Sequence, residues 1–207
     1  MHEDTWVYLI RHGETDWNLL ARFQGQGIVP LNPTGARQAA LVAARLAGAG
    51  LTSLYSSDSL RAWQTAQSIA AATGLPITPE PRLREVDVGL WQGHSFDEVR
   101  LFDRARFAAW QADPMHGRCP EGESKADLLA RVEAAFDAIT AQHAGERVAL
   151  VTHGGPIGAI RYLIHNRAAP ELLEPRYGNT SVTLLRGAPG AWRVVFANDT
   201  THLNGAM

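Results

Sequence analysis

The sequence is poor in several features that would direct it to particular classes of protein. Cys119 is the only cysteine among 207 residues, which excludes an internal disulfide framework and a thiolate cluster for a structural metal. The 19 lysines and arginines are scattered and are outnumbered by 21 acidic residues, so that the formal net charge is −2. We therefore expect no nucleic-acid partner, because the sequence provides no basic stripe for a phosphate backbone.

Long hydrophobic runs and targeting signals are also missing. The segment Met1-His2-Glu3-Asp4 has no basic stretch, and the first apolar run, residues 5–10, is far too short for a signal core or a membrane span. We expect a cytoplasmic protein with no membrane partner. The hydrophobic content of 45% shows no break along the chain, which favours a single domain over residues 1–207.

Apolar runs and amphipathic patterns alternate along most of the chain. Strands are predicted at residues 5–10, 51–55 and 148–152, with an interrupted edge strand within 77–83. Helices are predicted after Thr34, after Ser56-Ser57-Asp58, around residues 129–139 and from Pro156 onward, with Thr34 and the serine turn as N-terminal caps. This order is typical of an α/β protein with a mostly parallel sheet.

Two regions depart from the alternation. Residues 90–120, called the cap segment below, carry five aromatic residues among many charges and read as a helical insertion. Residues 181–185 and 192–197 read as two strands joined by a turn at Pro189-Gly190. We therefore predict a three-layer αβα sandwich with a mostly parallel central sheet, an antiparallel C-terminal edge and a helical cap insertion.

The tripeptide Arg11-His12-Gly13 is the most informative local feature. It follows the first predicted strand directly, so that a histidine would stand at the carboxyl end of the sheet. A neutral imidazole can attack phosphorus, and a guanidinium offers planar donors that match phosphate oxygens. On the tripeptide alone, a strand-ending histidine beside a solvated arginine is an equally good interpretation.

The predicted topology brings two further loops to the same edge of the sheet. Ser56 to Arg61 follows the second strand, and Thr152-His153-Gly154 follows the central strand. Ligands of such folds bind beyond the carboxyl ends of the strands. Gly154 and Gly155 would open a helix whose free amides form a natural seat for an anion. The sequence thus predicts a phosphate site built from three loops.

Several short motifs recur in one order along nearly the whole chain. They are Arg11-His12-Gly13-Glu14-Thr15, Gln24-Gly25, Ser56-Ser57 with Arg61-Ala62, Leu83-Arg84-Glu85, Trp91-Gln92-Gly93, Gly122-Glu123-Ser124 and Thr152-His153-Gly154-Gly155. With these motifs the chain resembles the histidine phosphatase superfamily, also called the phosphoglycerate mutase-like family.

The resemblance implies roles for individual residues. His12 would be the nucleophile that becomes a phosphohistidine, and Glu85 the proton donor. Arg11, Arg61 and His153 would surround the phosphoryl group. Phosphate or substrate contacts are implied for Asn18, Gln24 and Gly25, and Gly154 is added as the helix-terminal anion seat. The cap residue His94 and the carboxylate Glu123 have no role that the sequence decides.

The implied activity is hydrolysis of a phosphomonoester of a small metabolite, without a metal or another cofactor. No pair of histidines at i and i+4 with a glutamate, and no aspartate cluster for two Mg²⁺ ions, occurs in the sequence. Two alternatives stay open: a cofactor-dependent phosphoglycerate mutase and a non-catalytic phosphate-binding module. Mutases of the family usually carry an adjacent arginine pair in the cap, where this chain has Arg104-Ala105-Arg106. The sequence decides neither the substrate nor the oligomeric state.

Overall fold

A six-stranded sheet forms the centre of the computed structural model, which describes residues 4–173 and 177–204. The strands are β1 (Thr5–Arg11), β2 (Ser53–Ser56), β3 (Ile77–Pro79), β4 (Arg147–Thr152), β5 (Val182–Gly187) and β6 (Arg193–Asp199). Their order is β3-β2-β4-β1-β5-β6. Neighbouring strands from β3 to β1 are parallel, whereas β5 and β6 are antiparallel. The predicted mixed topology is confirmed.

Seven α-helices surround the sheet within the described residues. They are α1 (Asp16–Leu19), α2 (Pro33–Leu46), α3 (Leu60–Thr73), α4 (Phe96–Phe102), α5 (Arg104–Ala112), α6 (Lys125–Gln142) and α7 (Gly154–Ile164). None of them combines the length and apolar character needed to cross a bilayer. The interpretation of the N-terminus as lacking a leader concerns residues 1–3, which lie outside the described residues.

The alternation of side chains along β1 shows why its sequence is apolar throughout. Val7 and Leu9 point into a hydrophobic cluster shared with α6 and α7, while Tyr8 and Ile10 point into another shared with α2 and α3. All four side chains are buried. Because both faces of a central strand are covered, neither face can be polar. The three-layer arrangement predicted from the sequence is thereby confirmed.

The predicted helix starts were wrong in two places. Helix α2 is capped by Asn32, whose Oδ1 accepts a hydrogen bond from the Gly35 amide at 2.8 Å, and not by Thr34. Pro33 then takes the first helical position, where its missing N–H costs nothing. Helix α3 begins after Ser59 and not within Ser56-Ser57-Asp58, because the amide of Ser57 still extends the strand ladder to Val151 at 2.9 Å.

The edge strand was also shorter than its pattern indicated. Strand β3 ends at Pro79, and a 3₁₀ turn, Pro81–Leu83, follows at once. The second strand begins at Ser53, two residues later than predicted. The short chain of irregular structure after Leu83 carries Glu85, so that the brevity of β3 determines where this carboxylate can lie.

The cap segment holds α4 and α5 and has a hydrophobic cluster of its own. Trp91 is fully buried, and its indole Nε1–H donates to the Asp103 carboxylate at 2.9 Å. The rings of Phe23 and Phe96 stack at 4.2 Å, and Trp91 meets Trp110 edge to face at 5.7 Å. Trp91 and Phe107, together with Phe23 from outside the segment, form the core of the cap segment, and Phe96 packs on it from an exposed position. This cluster is distinct from the two clusters that cover the sheet.

Candidate active site

The candidate site lies where three parallel strands end side by side. Strand β4 lies between β1 and β2, and the three strands release their following loops at the same edge of the sheet. The ladder continues one step into the first loop, since the His12 amide donates to the Thr152 carbonyl at 3.0 Å. The loops after β1, β2 and β4 thus meet as predicted, because carboxyl ends of parallel strands share one edge.

His12 is held in a single tautomer by its two ring contacts. Its Nδ1 lies 2.7 Å from the Gly13 carbonyl oxygen, which can only accept a hydrogen bond. The Nε–H of Arg61 donates to Nε2 at 3.3 Å. Both contacts require the proton on Nδ1 and the lone pair on Nε2. The imidazole therefore presents an unprotonated Nε2 toward the guanidinium of Arg61.

The surroundings of His12 keep its ring neutral. The side chain is 3% exposed, and burial lowers its pKa well below the ordinary value, with further lowering by the charges of Arg61 and Arg11. A cationic imidazole would lose solvation and face two guanidinium groups. His12 thus has the protonation state that a nitrogen nucleophile needs.

Arg61 is a fully buried cation at the start of α3. Its NH2 group donates to the Gly25 carbonyl at 2.7 Å, and its NH1 group donates to the Gly27 carbonyl at 3.2 Å. Burial lowers the pKa of Arg61 to about 10, an effect that the charge of Glu85 opposes, so the group stays charged at neutral pH. With the bond to His12, these contacts use three of its five N–H groups and leave two for an anion.

The geometry gives Gly25 a use that the sequence did not predict. Its φ angle is +48°, and a Cβ atom there would lie 2.5 Å from Cγ2 of Val88. Only glycine fits a left-handed position so closely packed. The backbone of Gly25 accepts the hydrogen bond of Arg61 and in this way orients the cation. Contact of Gly25 with a ligand stays a prediction.

Arg11 is the second cation of the site and is partly buried. Its NH1 group donates to the Tyr177 carbonyl, while its Nε–H is buried without a hydrogen-bond partner among the described residues. Burial lowers the pKa of Arg11, and the negative charge of Glu85 raises it. A buried N–H group without an acceptor costs free energy. An anion that accepted a hydrogen bond from this N–H would therefore stabilise the site.

His153 lies next to His12, with 5.2 Å between the ring centroids. Its Nε2 lies 2.9 Å from the hydroxyl oxygen of Ser57, and its Nδ1 is buried without a partner among the described residues. Burial lowers the pKa of His153 well below the ordinary value, and Arg61 and the neighbouring His12 lower it further. Because both imidazoles are neutral, Arg11 and Arg61 are the cations of the site.

Glu85 reaches the site from the irregular segment after β3. Its Oε1 accepts the Val86 amide at 2.9 Å, and its Oε2 accepts the Gly155 amide at 3.1 Å. A Cβ atom on Gly155 would lie 2.1 Å from Oε1 of Glu85. The amide that the sequence offered to an incoming anion is therefore occupied by this carboxylate, and Gly155 has to be glycine for Glu85 to fit.

The remaining predicted contact residues lie around the first loop and the start of α7. Oδ1 of Asn18 accepts the Thr15 amide at 3.0 Å and the Asn179 side-chain amide at 3.2 Å, so only its Nδ2 group is available to a ligand. Oε1 of Gln24 accepts the Thr15 hydroxyl at 3.0 Å. Gly154 is the first residue of α7. Ligand binding by Asn18, Gln24 and Gly154 stays a prediction.

Sequence reasoning missed the segment that supports His12 from behind. The Thr180 amide and the Asn179 side-chain amide both donate to the His12 carbonyl at 3.2 Å. Ser57 was part of a recognised motif, but its contact with His153 was not foreseen. The segment around Tyr177 has no motif and no periodicity, and so the sequence held no signal for it.

The arrangement joins two cations, two neutral imidazoles and one carboxylate at the edge of the sheet. The residues that the structure describes contain no group of three or more His, Cys, Asp or Glu side chains that could hold a metal ion. Chemically, the site can bind a dianion between Arg11 and Arg61, attack it with a nitrogen lone pair and exchange a proton at a carboxyl group. This combination suits phosphoryl transfer.

Comparison with known proteins shows which family and which solved structures this chain resembles. The family model described as the histidine phosphatase superfamily (branch 1) matches residues 7–200. A Yersinia pestis relative named probable phosphoglycerate mutase GpmB is 37% identical over 207 residues, which cover 96% of this chain and 94% of that protein. The solved structure of Bacillus stearothermophilus YhfR is 34% identical with a TM-score of 0.87 and covers 97% of this chain and 100% of that one. A mycobacterial glucosyl-3-phosphoglycerate phosphatase is 30% identical with a TM-score of 0.84, over 93% of this chain and 98% of that one.

Proposed function

Because the chain belongs to the histidine phosphatase superfamily, we propose that it hydrolyses phosphomonoesters of small metabolites through a phosphohistidine on His12. The observation that carries the proposal is the tautomer of His12. Its proton is committed to the Gly13 carbonyl, and its Nε2 lone pair accepts the Nε–H of Arg61 at 3.3 Å, a long hydrogen bond that opens when Nε2 attacks phosphorus. A nucleophilic nitrogen is thus held at the place where a phosphate dianion would be bound.

The reaction proceeds by two transfers. In the first, Nε2 of His12 bonds to phosphorus, the ester P–O bond breaks, and the leaving alkoxide takes a proton from the carboxyl group of Glu85. In the second, water attacks the phosphohistidine and gives its proton back to Glu85, so that inorganic phosphate leaves and His12 is restored. Arg11 and Arg61 balance the charge on the equatorial oxygens in both steps. No metal ion is required by this sequence of events.

In this mechanism His153 helps to position the phosphoryl group, because its ring can offer that group a hydrogen-bond donor. Its Nδ1 has no partner among the described residues, while Nε2 contacts the Ser57 hydroxyl. If the ring carries its proton on Nδ1, that N–H can bind a phosphoryl oxygen. Support for this role comes from the short separation of the two rings, 5.2 Å between centroids.

Trapping of the covalent intermediate tests the proposal. The protein is mixed with a phosphate-labelled substrate, quenched within milliseconds in alkali and separated from small molecules. We expect protein-bound label that survives alkali and is released by acid, as a phosphorus–nitrogen bond requires. The label should be absent from His12→Asn and present in His116→Asn, whose side chain is exposed in the cap segment. Alkali-stable label in His12→Asn would place the nucleophile elsewhere.

A phosphoglycerate mutase is the second candidate, because the relatives at 37% identity carry that name. A mutase returns the phosphoryl group to the substrate, whereas a hydrolase passes it to water. Hydrolysis is supported by the exposed positions of Arg104 and Arg106 at the start of α5, where Arg106 pairs with Asp103. Incubation with 3-phosphoglycerate separates the two: inorganic phosphate indicates hydrolysis, and the 2-phospho isomer indicates the mutase.

Assays of phosphate release also test three other parts of the proposal, which are catalytic turnover, metal independence and substrate preference. A non-catalytic phosphate-binding module would bind phosphoesters without turning any of them over. Activity that a chelator abolishes and a divalent metal restores would contradict metal independence. A screen of phosphorylated metabolites, with phosphate release as the readout, would then identify the alkyl phosphate that the protein prefers.

A further inference from the structure

Arg131 on α6 uses every donor of its guanidinium, three on the segment that carries Glu85 and two on Glu123. Its NH1 group donates to the carbonyls of Arg82 and Arg84, and its NH2 group donates to the carbonyl of Glu85. The Nε and NH2 groups also donate to the two carboxylate oxygens of Glu123. All five distances are 2.7 or 2.8 Å. An arginine has five N–H groups, and here each one has a partner.

Glu123 completes the arrangement from the other side. Besides pairing with Arg131, its Oε2 accepts the Asp87 amide at 3.0 Å, and its own amide donates to the Asp87 carbonyl at 2.8 Å. Burial raises the pKa of Glu123, but the hydrogen bonds from Arg131 and the Asp87 amide outweigh it and the net shift is downward. Backbone groups on both sides of Glu85 are thus fixed to one ion pair.

The Leu83 carbonyl, which lies between the anchored carbonyls of Arg82 and Arg84, also accepts a hydrogen bond. The hydroxyl of Thr152, the last residue of β4, donates to the Leu83 carbonyl at 2.7 Å. Four consecutive carbonyls, those of residues 82–85, therefore accept side-chain hydrogen bonds from two elements of the rigid core. The 3₁₀ turn ends at Leu83 and the residues after it have no regular structure, so this segment has no backbone ladder to hold it and side chains must do so.

We propose that Arg131, oriented by Glu123, is the positioning residue for Glu85 and sets the place of its carboxyl group relative to the leaving oxygen. The inference rests on the proposed function, in which Glu85 donates that proton. Neither Arg131 nor Glu123 has a side-chain contact with His12 among the described residues, so that they act through the backbone of residues 82–87. Arg131 lies within α6, and Glu123 lies eight positions earlier, just before the helix begins.

Lysine cannot replace this arginine in the proposed role. An ammonium group has three donors from one point, whereas the five partners surround a planar fork. With Arg131→Lys the charge remains but at least two partners lose their donor. Displacement of a catalytic group by about 1 Å costs up to ~10²-fold in rate. The loss should fall on the proton transfers of Glu85, and the first of these, to the leaving oxygen, depends on the leaving group.

Leaving-group dependence gives the test its specificity. The kcat and KM of Arg131→Lys are measured with p-nitrophenyl phosphate, whose leaving group departs as a stable anion, and with the preferred alkyl phosphate from the metabolite screen. We expect kcat/KM, which reports the steps up to departure of the leaving group, to fall ~10- to 10²-fold on the alkyl phosphate and to change less than ~3-fold on the aryl phosphate. A merely structural role would reduce both activities together.

Two further variants keep the result interpretable. Glu123→Gln removes the charge from the pair and should give the same selective loss in a milder form, which decides the matter if Arg131→Lys does not fold. Arg167→Lys is the matched control, because Arg167 also pairs with a glutamate of α6, Glu133, but is half-exposed. Its ratio of alkyl to aryl activity should equal that of the unaltered protein.

The double variant separates failure of this inference from failure of the proposed function. If Glu85→Gln shows the selective loss and Arg131→Lys adds nothing to it, the two residues act as one unit. If Glu85→Gln is selective but Arg131→Lys and Glu123→Gln reduce both substrates equally or neither, the positioning role is wrong and the proposed mechanism stands. If Glu85→Gln is itself unselective, the role of Glu85 as the proton donor falls first.

Discussion

The site has two sides, and they are built in opposite ways. The phosphoryl side, consisting of His12, Arg61 and His153, grows from strand ends and a helix start, and its three side chains are between 0% and 3% exposed. The leaving-group side is Glu85, which is partly exposed on a segment without regular structure. Strands and helices position the first side, and side-chain hydrogen bonds from Thr152 and Arg131 position the second.

This difference corresponds to a division of chemical tasks. Fixed cations and a neutral nucleophile require burial, because low dielectric strengthens their action on the phosphoryl group and depresses the pKa values of the histidines. A proton donor has to reach both the leaving oxygen of the first transfer and the attacking water of the second, which a partly exposed edge segment permits. Variants on the two sides should therefore differ in their dependence on the leaving group.

The largest effect is expected on the phosphoryl side, with Arg61→Lys. Lysine keeps the charge but cannot reach Gly25, Gly27 and His12 at once, so that the cation no longer faces the phosphoryl oxygens. We expect kcat to fall ~10³-fold or more on alkyl and aryl phosphates alike. Steady-state kinetics on both substrates check this.

The control for Arg61→Lys is Arg147→Lys. Arg147 begins β4 at the far end of the sheet, where it donates to the Ala49 carbonyl. Its activity should be unchanged on both substrates. A loss in Arg61→Lys that is confined to alkyl phosphates would break the comparison, because Arg61 would then act at the leaving oxygen.

The leaving-group side should give a smaller and selective effect. Without an acidic proton, Glu85→Gln leaves an alkoxide to depart unprotonated, whereas a nitrophenolate departs readily without help. We expect ~10²- to 10⁴-fold loss in kcat/KM on an alkyl phosphate and much less on p-nitrophenyl phosphate. Equal losses on both substrates would show that Glu85 is not the proton donor. Variants on the two sides of the site would then not differ in their dependence on the leaving group.

The phosphoryl side could be predicted from the sequence because topology does most of the work there. Once the runs at β1 and β4 are taken as parallel strands, His12 and His153 must emerge at the same edge, whatever the details of the loops. The position of Arg61 follows in the same way from β2 and α3. Strand ends are positions that a sequence pattern fixes well.

The rest could not be predicted, because it depends on side chains that meet far from their own local context. Arg131 is one polar position of an amphipathic helix, and nothing nearby in the sequence shows that its five donors bind three carbonyls of residues 82–85 and the carboxylate of Glu123. The amide of Thr180 reaches the His12 carbonyl from a stretch without a motif. The choice of Asn32 over Thr34 as the cap of α2 likewise depended on Pro33, which fits the first helical turn.

The smallest predicted effect concerns stability and belongs to the phosphoryl side. His12 and His153 have pKa values well below 6.5 when folded, chiefly through burial, and near ~6.5 when unfolded. Below pH ~6.5 the unfolded chain therefore binds protons that the folded protein does not, so that stability falls as the pH falls and levels off above pH ~6.5. Each histidine contributes up to ~1.4 kcal/mol per pH unit. Urea unfolding in phosphate-free buffer between pH 5 and 8 measures this slope, to which His202 also contributes because burial lowers its pKa. His153→Asn should reduce the slope by the share of one histidine, and the exposed His116→Asn should leave it unchanged. A slope unaffected by His153→Asn would mean that this ring takes up its proton without unfolding, and the neutral pair that distinguishes this side of the site would be lost.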